Sequence, residues 1–151
     1  MNWLNVPHQS QREPSWCLPA CVAIVSAYWG VPISQTDVAH WLGTSDIGTP
    51  SNRTQWLNSK NFTVIYSEGS VTTLIDWLGQ GCPLILFLYT GDLPYWTIDT
   101  AHAVVLAGLD GESAILVDPA VDEIKCIVSI GDLLLAWSQF DYTFAVIQPQ
   151  S

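Results

Sequence analysis

Apolar positions along this chain recur at two different periods, and the period changes near residue 80. Over residues 17–29 (CLPACVAIVSAYW), Cys17, Ala20, Ile24 and Ala27 fall at helical spacing, and Pro19 suits a first turn. Gly30-Val-Pro32 ends that helix. Ser34-Gln-Thr36-Asp37 supplies N-cap candidates for a short helix through Val38 and Leu42, closed by Gly43. Thr49-Pro50 is expected to cap and open a third helix carrying Trp56 and Leu57. Phe62 to Tyr66 alternates like a strand, and Ser70 to Gly79 gathers Leu74, Trp77 and Leu78 on one face of a fourth helix.

From Pro83 onward the pattern is that of strands. Pro83 to Tyr89 is a continuous apolar run, expected of a central strand buried on both faces. Ala101 to Leu109 and Ser113 to Val117 are two strands joined by Asp110-Gly111, a hairpin-type turn. Glu123 to Val128 reads as a further strand, Ile130 to Trp137 as a short helix and Tyr142 to Ile147 as the last strand. Helices first and an antiparallel sheet afterwards define an α+β class. With no internal repeat, low-complexity tract or linker, residues 1–151 read as a single domain.

Composition narrows the function. With 49% hydrophobic and 12% charged residues, the chain can bury enough apolar surface to fold, which excludes intrinsic disorder. The formal charge is −10, and the four cations, Arg12, Arg53, Lys60 and Lys125, are scattered. No basic stripe exists to neutralise phosphates, so neither nucleic acid nor an anionic membrane surface is an expected partner. The N-terminal stretch has no basic region followed by an apolar one, and the longest apolar run, Cys82 to Tyr89, is too short to cross a bilayer. The expectation is a cytoplasmic chain without membrane insertion, in which Cys17, Cys21, Cys82 and Cys126 are thiols. No cysteine or histidine spacing matches a zinc site, and no metal or organic cofactor is expected.

Cys17 is the candidate nucleophile. It opens a predicted helix, where the positive end of the dipole and free backbone N–H groups favour the thiolate. Cys21, one turn further in, reads as core, and Cys82 and Cys126 fall at strand edges as structural residues. Of the three histidines, His8 lies in an irregular stretch and His40 inside a short helix, where a solvated or capping role is the default. His102 opens a strand and can project from the sheet end. Asp118 closes the next strand, and residues 102 and 118 are each eight positions from 110, so the hairpin brings carboxylate and imidazole together. Gln11, six positions before Cys17, is a candidate oxyanion donor, with Gln9 competing for that role. Trp16 and Trp96 are candidates to line a substrate cleft.

Together these residues resemble a family. Gln11-x₅-Cys17 with Trp16 before it and Ala20 after it, then His102-Ala-Val-Val-Leu106, then Asp118-Pro119, looks like the papain-like peptidases that cleave bacteriocin leader peptides after a double glycine. The resemblance covers about residues 5–120 and implies a papain-like fold, N-terminal helices packed on a C-terminal antiparallel sheet. It also implies roles: Cys17 as nucleophile, His102 as base, Asp118 as orienting acid and Gln11 in the oxyanion hole. The implied activity is hydrolysis of a peptide or protein substrate, after Gly-Gly or another small residue. The family often reads Asp-Cys-Gly at the nucleophile, whereas this chain reads Trp16-Cys17-Leu18-Pro19, and it carries neither the membrane span nor the Gly-rich phosphate loop of the exporters in which the family is best known. Two alternatives use the same residues differently: an acyltransferase or deamidase, and a catalytically idle peptide-binding module. If the acids rim the cleft, their field favours cationic peptides.

Overall fold

A computed structural model describes residues 3–150; Met1, Asn2 and Ser151, the ends of the expected domain, lie outside the described residues. Its elements are α1 (Cys17–Tyr28), α2 (Gln35–Leu42), a 3₁₀ helix (Ser51–Lys60), β1 (Phe62–Glu68), α3 (Val71–Gly79), β2 (Leu84–Tyr89), a short 3₁₀ turn (Thr90–Asp92), β3 (Ala101–Leu109), β4 (Ser113–Val117), β5 (Cys126–Ser129), α4 (Ile130–Ser138) and β6 (Thr143–Pro149). The helix ends follow local chemistry. The Ser34 hydroxyl accepts the Asp37 N–H at 3.0 Å, and Ser70 with Thr73 closes a capping box on α3. Gly43 ends α2 in the left-handed region, φ 63°, where a side chain is disfavoured.

The six strands form one antiparallel sheet in the order β1-β6-β2-β3-β4-β5. β2 lies inside it, and Leu84 to Leu88 are all buried, as the unbroken apolar run requires. Alternate side chains enter two cores. Ala103, Val105, Ala107, Ile115 and Val117 pack with α1, α2 and Leu57. Val104, Leu106, Ala114 and Leu116 pack with Leu74 of α3 and with Leu133, Ala136 and Trp137 of α4. Helices therefore cover both faces of the sheet. Helix α1 is apolar all round and buried from Leu18 to Ser26, which makes it a rigid base for its first residue, Cys17.

Two elements differ from expectation. The third helix is a 3₁₀ run rather than an α-helix. Its polar side chains take carbonyls three residues back: Thr54 Oγ1 donates to Ser51 O, Asn58 Nδ2 to Gln55 O and Ser59 Oγ to Trp56 O, at 2.7–3.0 Å. Those bonds compete with the wider α-helical ladder. The strand expected from Glu123 begins only at Cys126, which pairs with Leu116. Upstream of it β4 offers no partner, because the chain turns away at Asp118-Pro119.

The β3–β4 pairing positions the site. It starts with Leu109 opposite Ala114 and Gly108 opposite Ile115, then slips at Ala107, so that Leu106 faces Leu116 and Val105 faces Val117. This one-residue bulge decides which face His102 takes. An unbroken ladder would send His102 and the residue after β4 to opposite faces, because side chains alternate with period two. With the bulge, Asp118 falls beside Val104, whose side chain shares a face with that of His102. The pairing is thus diagonal, two positions away from the direct opposition expected. The carbonyl left over at Ala107 accepts the Leu4 N–H at 2.8 Å.

Truncating the base of this arrangement should be costly. Ile24 is fully buried in α1, and Ile24→Ala is expected to lower unfolding free energy by about 2–5 kcal/mol, measured by urea denaturation.

Candidate active site

Asp118 organises the site. Its carboxylate is fully buried, yet both oxygens are saturated. Oδ1 lies 2.7 Å from His102 Nε2 and accepts the Ala120 N–H at 2.9 Å. Oδ2 accepts the Tyr95 hydroxyl at 2.7 Å and the Trp96 indole N–H at 3.0 Å. A carboxylate has about four lone-pair sites, and all are used. Burial raises the Asp118 pKa, but the hydrogen bond and charge of His102, with the Ala120 N–H and Tyr95 hydroxyl, bring it below the ordinary carboxylate range.

With Nε2 committed to Asp118, Nδ1 is the ring nitrogen left to face Cys17, and the sulfur and the imidazole shift each other's pKa. Burial would lower the imidazole pKa, but its bonds to Asp118 and Cys17 and their charges raise it to about 9. For Cys17, burial raises the pKa. The hydrogen bond and charge of His102, then the backbone N–H groups of Ala103 and Leu18, reverse this, and the net shift is downward. Sulfur and imidazole therefore favour a thiolate–imidazolium pair. Cys17 and His102 open into a cleft of about 350 Å³, lined also by Gln11, Trp96, Ile98 and a turn at Asp46 to Gly48.

Of the two glutamines, Gln11 lines this cleft, while Gln9 Oε1 receives the Gln35 amide at 3.4 Å. The Gln11 backbone N–H donates to Pro119 O at 2.8 Å, tying the loop to the Asp118 turn. Its side-chain amide donates to Glu13 O at 3.1 Å and Pro14 O at 2.8 Å, leaving Oε1 buried without a partner. Trp96 lines the cleft, and its ring also packs on that of His102 with centroids 4.9 Å apart. Trp16 does not line the cleft; it occupies the N-cap position of α1, where no side-chain cap bond forms.

Three supporting residues escaped sequence reasoning. Tyr95 is the strongest, and the adjacency of two polar-tipped aromatics shortly before His102 was the available signal. His8 Nε2 lies 3.1 Å from Asp118 O and 2.8 Å from Val121 O, pinning the turn that carries the carboxylate. Buried Gln35 of α2 holds the Gln11 loop, donating to Ser10 O and accepting from Arg12 N at 3.0 Å each. Nothing local in the sequence marks His8 or Gln35, because their partners are distant in the chain.

This geometry belongs to a papain-like α+β protein with a cysteine at a helix start. The sequence profile of the Peptidase_C39 like family matches residues 3–143, and the chain belongs to that family. Among solved structures, it is similar to one assigned as a C39-like peptidase from Bacillus anthracis, at 18% identity and TM-score 0.78 over 100% of both chains. The peptidase domain of Streptococcus ComA, a bifunctional ABC transporter of a quorum-sensing pathway, aligns at 18% identity and TM-score 0.79, over 97% of this chain and 100% of that one. A double-glycine motif protease from an AMS/PCAT transporter, in complex with its leader peptide, aligns at 18% identity and TM-score 0.76, over 99% and 95%. A search of the curated proteins finds no match. Among the described residues, no helix is long and apolar enough to cross a membrane.

The four thiols should be chemically distinct. Burial and the charges of Cys17 and Asp118 hold the Cys21 pKa high; burial raises that of Cys82, and burial with the Asp118 charge raises that of Cys126 to about 11. Iodoacetamide at pH 6 is therefore expected to label Cys17 at least tenfold faster than the others, read by mass spectrometry of the digest. Equal labelling would contradict the proposed electrostatics.

Proposed function

We propose that the chain is a cysteine peptidase acting through Cys17, His102 and Asp118. The observation that carries this reading is the line of interacting groups from the Cys17 sulfur through the His102 imidazole to a saturated, buried Asp118, opening into a cleft. In this reading the Cys17 thiolate attacks the scissile carbonyl carbon. The oxyanion is received by the Cys17 backbone N–H, a first-turn donor without an intrahelical acceptor, and by the Gln11 amide. Gln11 reaches it by releasing the Glu13 carbonyl, the longer of its two bonds at 3.1 Å. The His102 imidazolium gives its Nδ1 proton to the leaving amine, and the C–N bond breaks to leave a thioester on Cys17. His102 then takes a proton from water, whose oxygen attacks the thioester; the C–S bond breaks, releasing the acid and restoring the Cys17 thiolate beside the His102 imidazolium.

Asp118 holds the ring so that Nδ1 meets the sulfur and stabilises the charged imidazolium. A peptide substrate is supported by family membership and by the leader peptide bound to one similar structure. The interaction between the Cys17 sulfur and the His102 imidazole, in a cleft that both line, favours an active site over an idle binding module. Four free thiols suit the reducing cytoplasm, which we take as its compartment.

Cleavage of a peptide library, profiled by mass spectrometry, tests the reading: Cys17→Ala should abolish it, and His102→Ala should reduce kcat/KM by about 10²–10⁴-fold. Cleavage surviving in Cys17→Ala would remove the proposal. The pH dependence follows from the two shifts. The thiolate fraction rises with pH through a lowered Cys17 pKa, while the imidazolium fraction falls as pH passes about 9. The kcat/KM profile should therefore be bell-shaped with an alkaline limb near pH 9. Asp118→Asn removes a charge that raises the His102 pKa, so this limb should move to lower pH.

A further inference from the structure

Two loops bring uncovered aliphatic side chains to the cleft that holds Cys17. The first is the turn between α2 and the 3₁₀ helix. Ser45 and Gly48 exchange backbone hydrogen bonds of 3.1 and 3.0 Å, and the hydroxyls of Thr44 and Thr49 lie 2.6 Å apart beneath them. The Ile47 N–H donates to Ser45 Oγ at 3.3 Å, and Gly48 closes the turn at φ 110°, a conformation that disfavours a side chain. At the tip of this pinned turn Ile47 is 98% exposed.

The second loop leads into β3. Its backbone is also held: Thr90 Oγ1 donates to Ile98 O at 2.7 Å, and the Gly91 N–H donates to Asp99 Oδ1 at 3.0 Å. Yet Ile98 is 61% exposed. Both isoleucines line the cleft of Cys17. Aliphatic side chains fixed in water at a cleft lose little freedom on contact and gain the full benefit of burial when a ligand covers them.

Charge supplies the second half of the argument. Asp118 is buried and paired with His102, so the free charge lining the cleft is Asp46, exposed beside Ile47. The groove continues past Gln11, Pro14 and Ala120 into a recess where Glu13 and Asp122 outnumber Arg12. The other three cations lie over tryptophan rings: Arg53 over Trp56, Lys60 over Trp41 and Lys125 over Trp3. The chain carries −10 overall, and this groove shares its sign.

We propose that the cleft selects peptides in which a bulky aliphatic side chain, gripped by Ile47 and Ile98, adjoins a lysine or arginine that pairs with Asp46. This deepens the peptidase reading and rests on it for the peptide nature of the ligand. The test is equilibrium binding to the full chain carrying Cys17→Ala, which does not turn over. The probes are fluorescent hexapeptides alike except for Leu or Gly at one position and Lys or Glu at its neighbour, with the pair moved along the peptide. The Leu-Lys peptides should bind tightest. Adding Ile47→Ser or Ile98→Ser should weaken the Leu peptides roughly tenfold while leaving the Gly peptides unchanged. Adding Asp46→Asn should erase the preference for Lys over Glu. Ile47 and Asp46 are exposed, so these variants should keep the fold, and their thermal unfolding is measured alongside. No binding of any peptide, equal binding of all, or a preference unmoved by these variants would overturn the proposal. The wild-type chain is then assayed for hydrolysis of the same peptides. Selective binding without cleavage would sustain the selective cleft and remove the peptidase reading; cleavage without selectivity would do the reverse.

Discussion

A carboxylate fully withdrawn from water is the constraint around which this site is built. An ionised Asp118 in the core is tolerable only if every lone pair finds a donor, and four donors from three separate segments supply them. The loop before β3 gives Tyr95 and Trp96, β3 gives His102, and the turn after β4 gives the Ala120 N–H. The saturation has a chemical result. Because Nε2 of His102 is held by Asp118, the tautomer and orientation of the ring are set, and the raised imidazole pKa is matched by a lowered one at Cys17. His102–Asp118 is also the one ion pair among the described residues.

The surrounding fold serves this arrangement from both sides of the sheet. Helix α1, buried from Leu18 to Ser26, presents Cys17 at its start, while His102 and Asp118 come from β3 and the end of β4, Asp118 holding the His102 ring that interacts with the sulfur. The long N-terminal segment acts as a strap. Leu4 takes the carbonyl at the bulge, His8 holds the Asp118 and Val121 carbonyls, and Gln11 reaches Pro119. Such contacts give the loops that carry function a fixed backbone, and a site needs that if its polar groups are to be in place before a ligand arrives.

The acidic balance takes on a more specific meaning in three dimensions. As a bulk property it argued against polyanionic partners. In the fold, most cations are drawn onto tryptophan faces, and the free carboxylate of Asp46 stands at the mouth of the cleft. A negative field there opposes a lone thiolate, which makes the neighbouring imidazolium and the backbone N–H groups at the start of α1 the more necessary.

The order of the elements and most of their boundaries were legible in the sequence, because helix caps, apolar period and hairpin turns are local signals. Ser34 and Gly43 bracket α2 as read, and Ala101–Leu109 and Ser113–Val117 are strands over the residues expected. The nearness of His102 and Asp118 was also legible from the hairpin. Its register was not: symmetric counting puts them directly opposite, whereas the chain uses a bulge at Ala107 to place them diagonally on one face. The 3₁₀ segment escaped because propensity for turning is readable but competition for each carbonyl depends on geometry. Which of Gln9 and Gln11 lines the cleft, the bond from Trp96 to Asp118 and the contacts of Tyr95, His8 and Gln35 were decided by tertiary structure alone. Each depends on a hydrogen bond across 20 or more residues of chain, and no periodicity records which distant donor will find a buried acceptor.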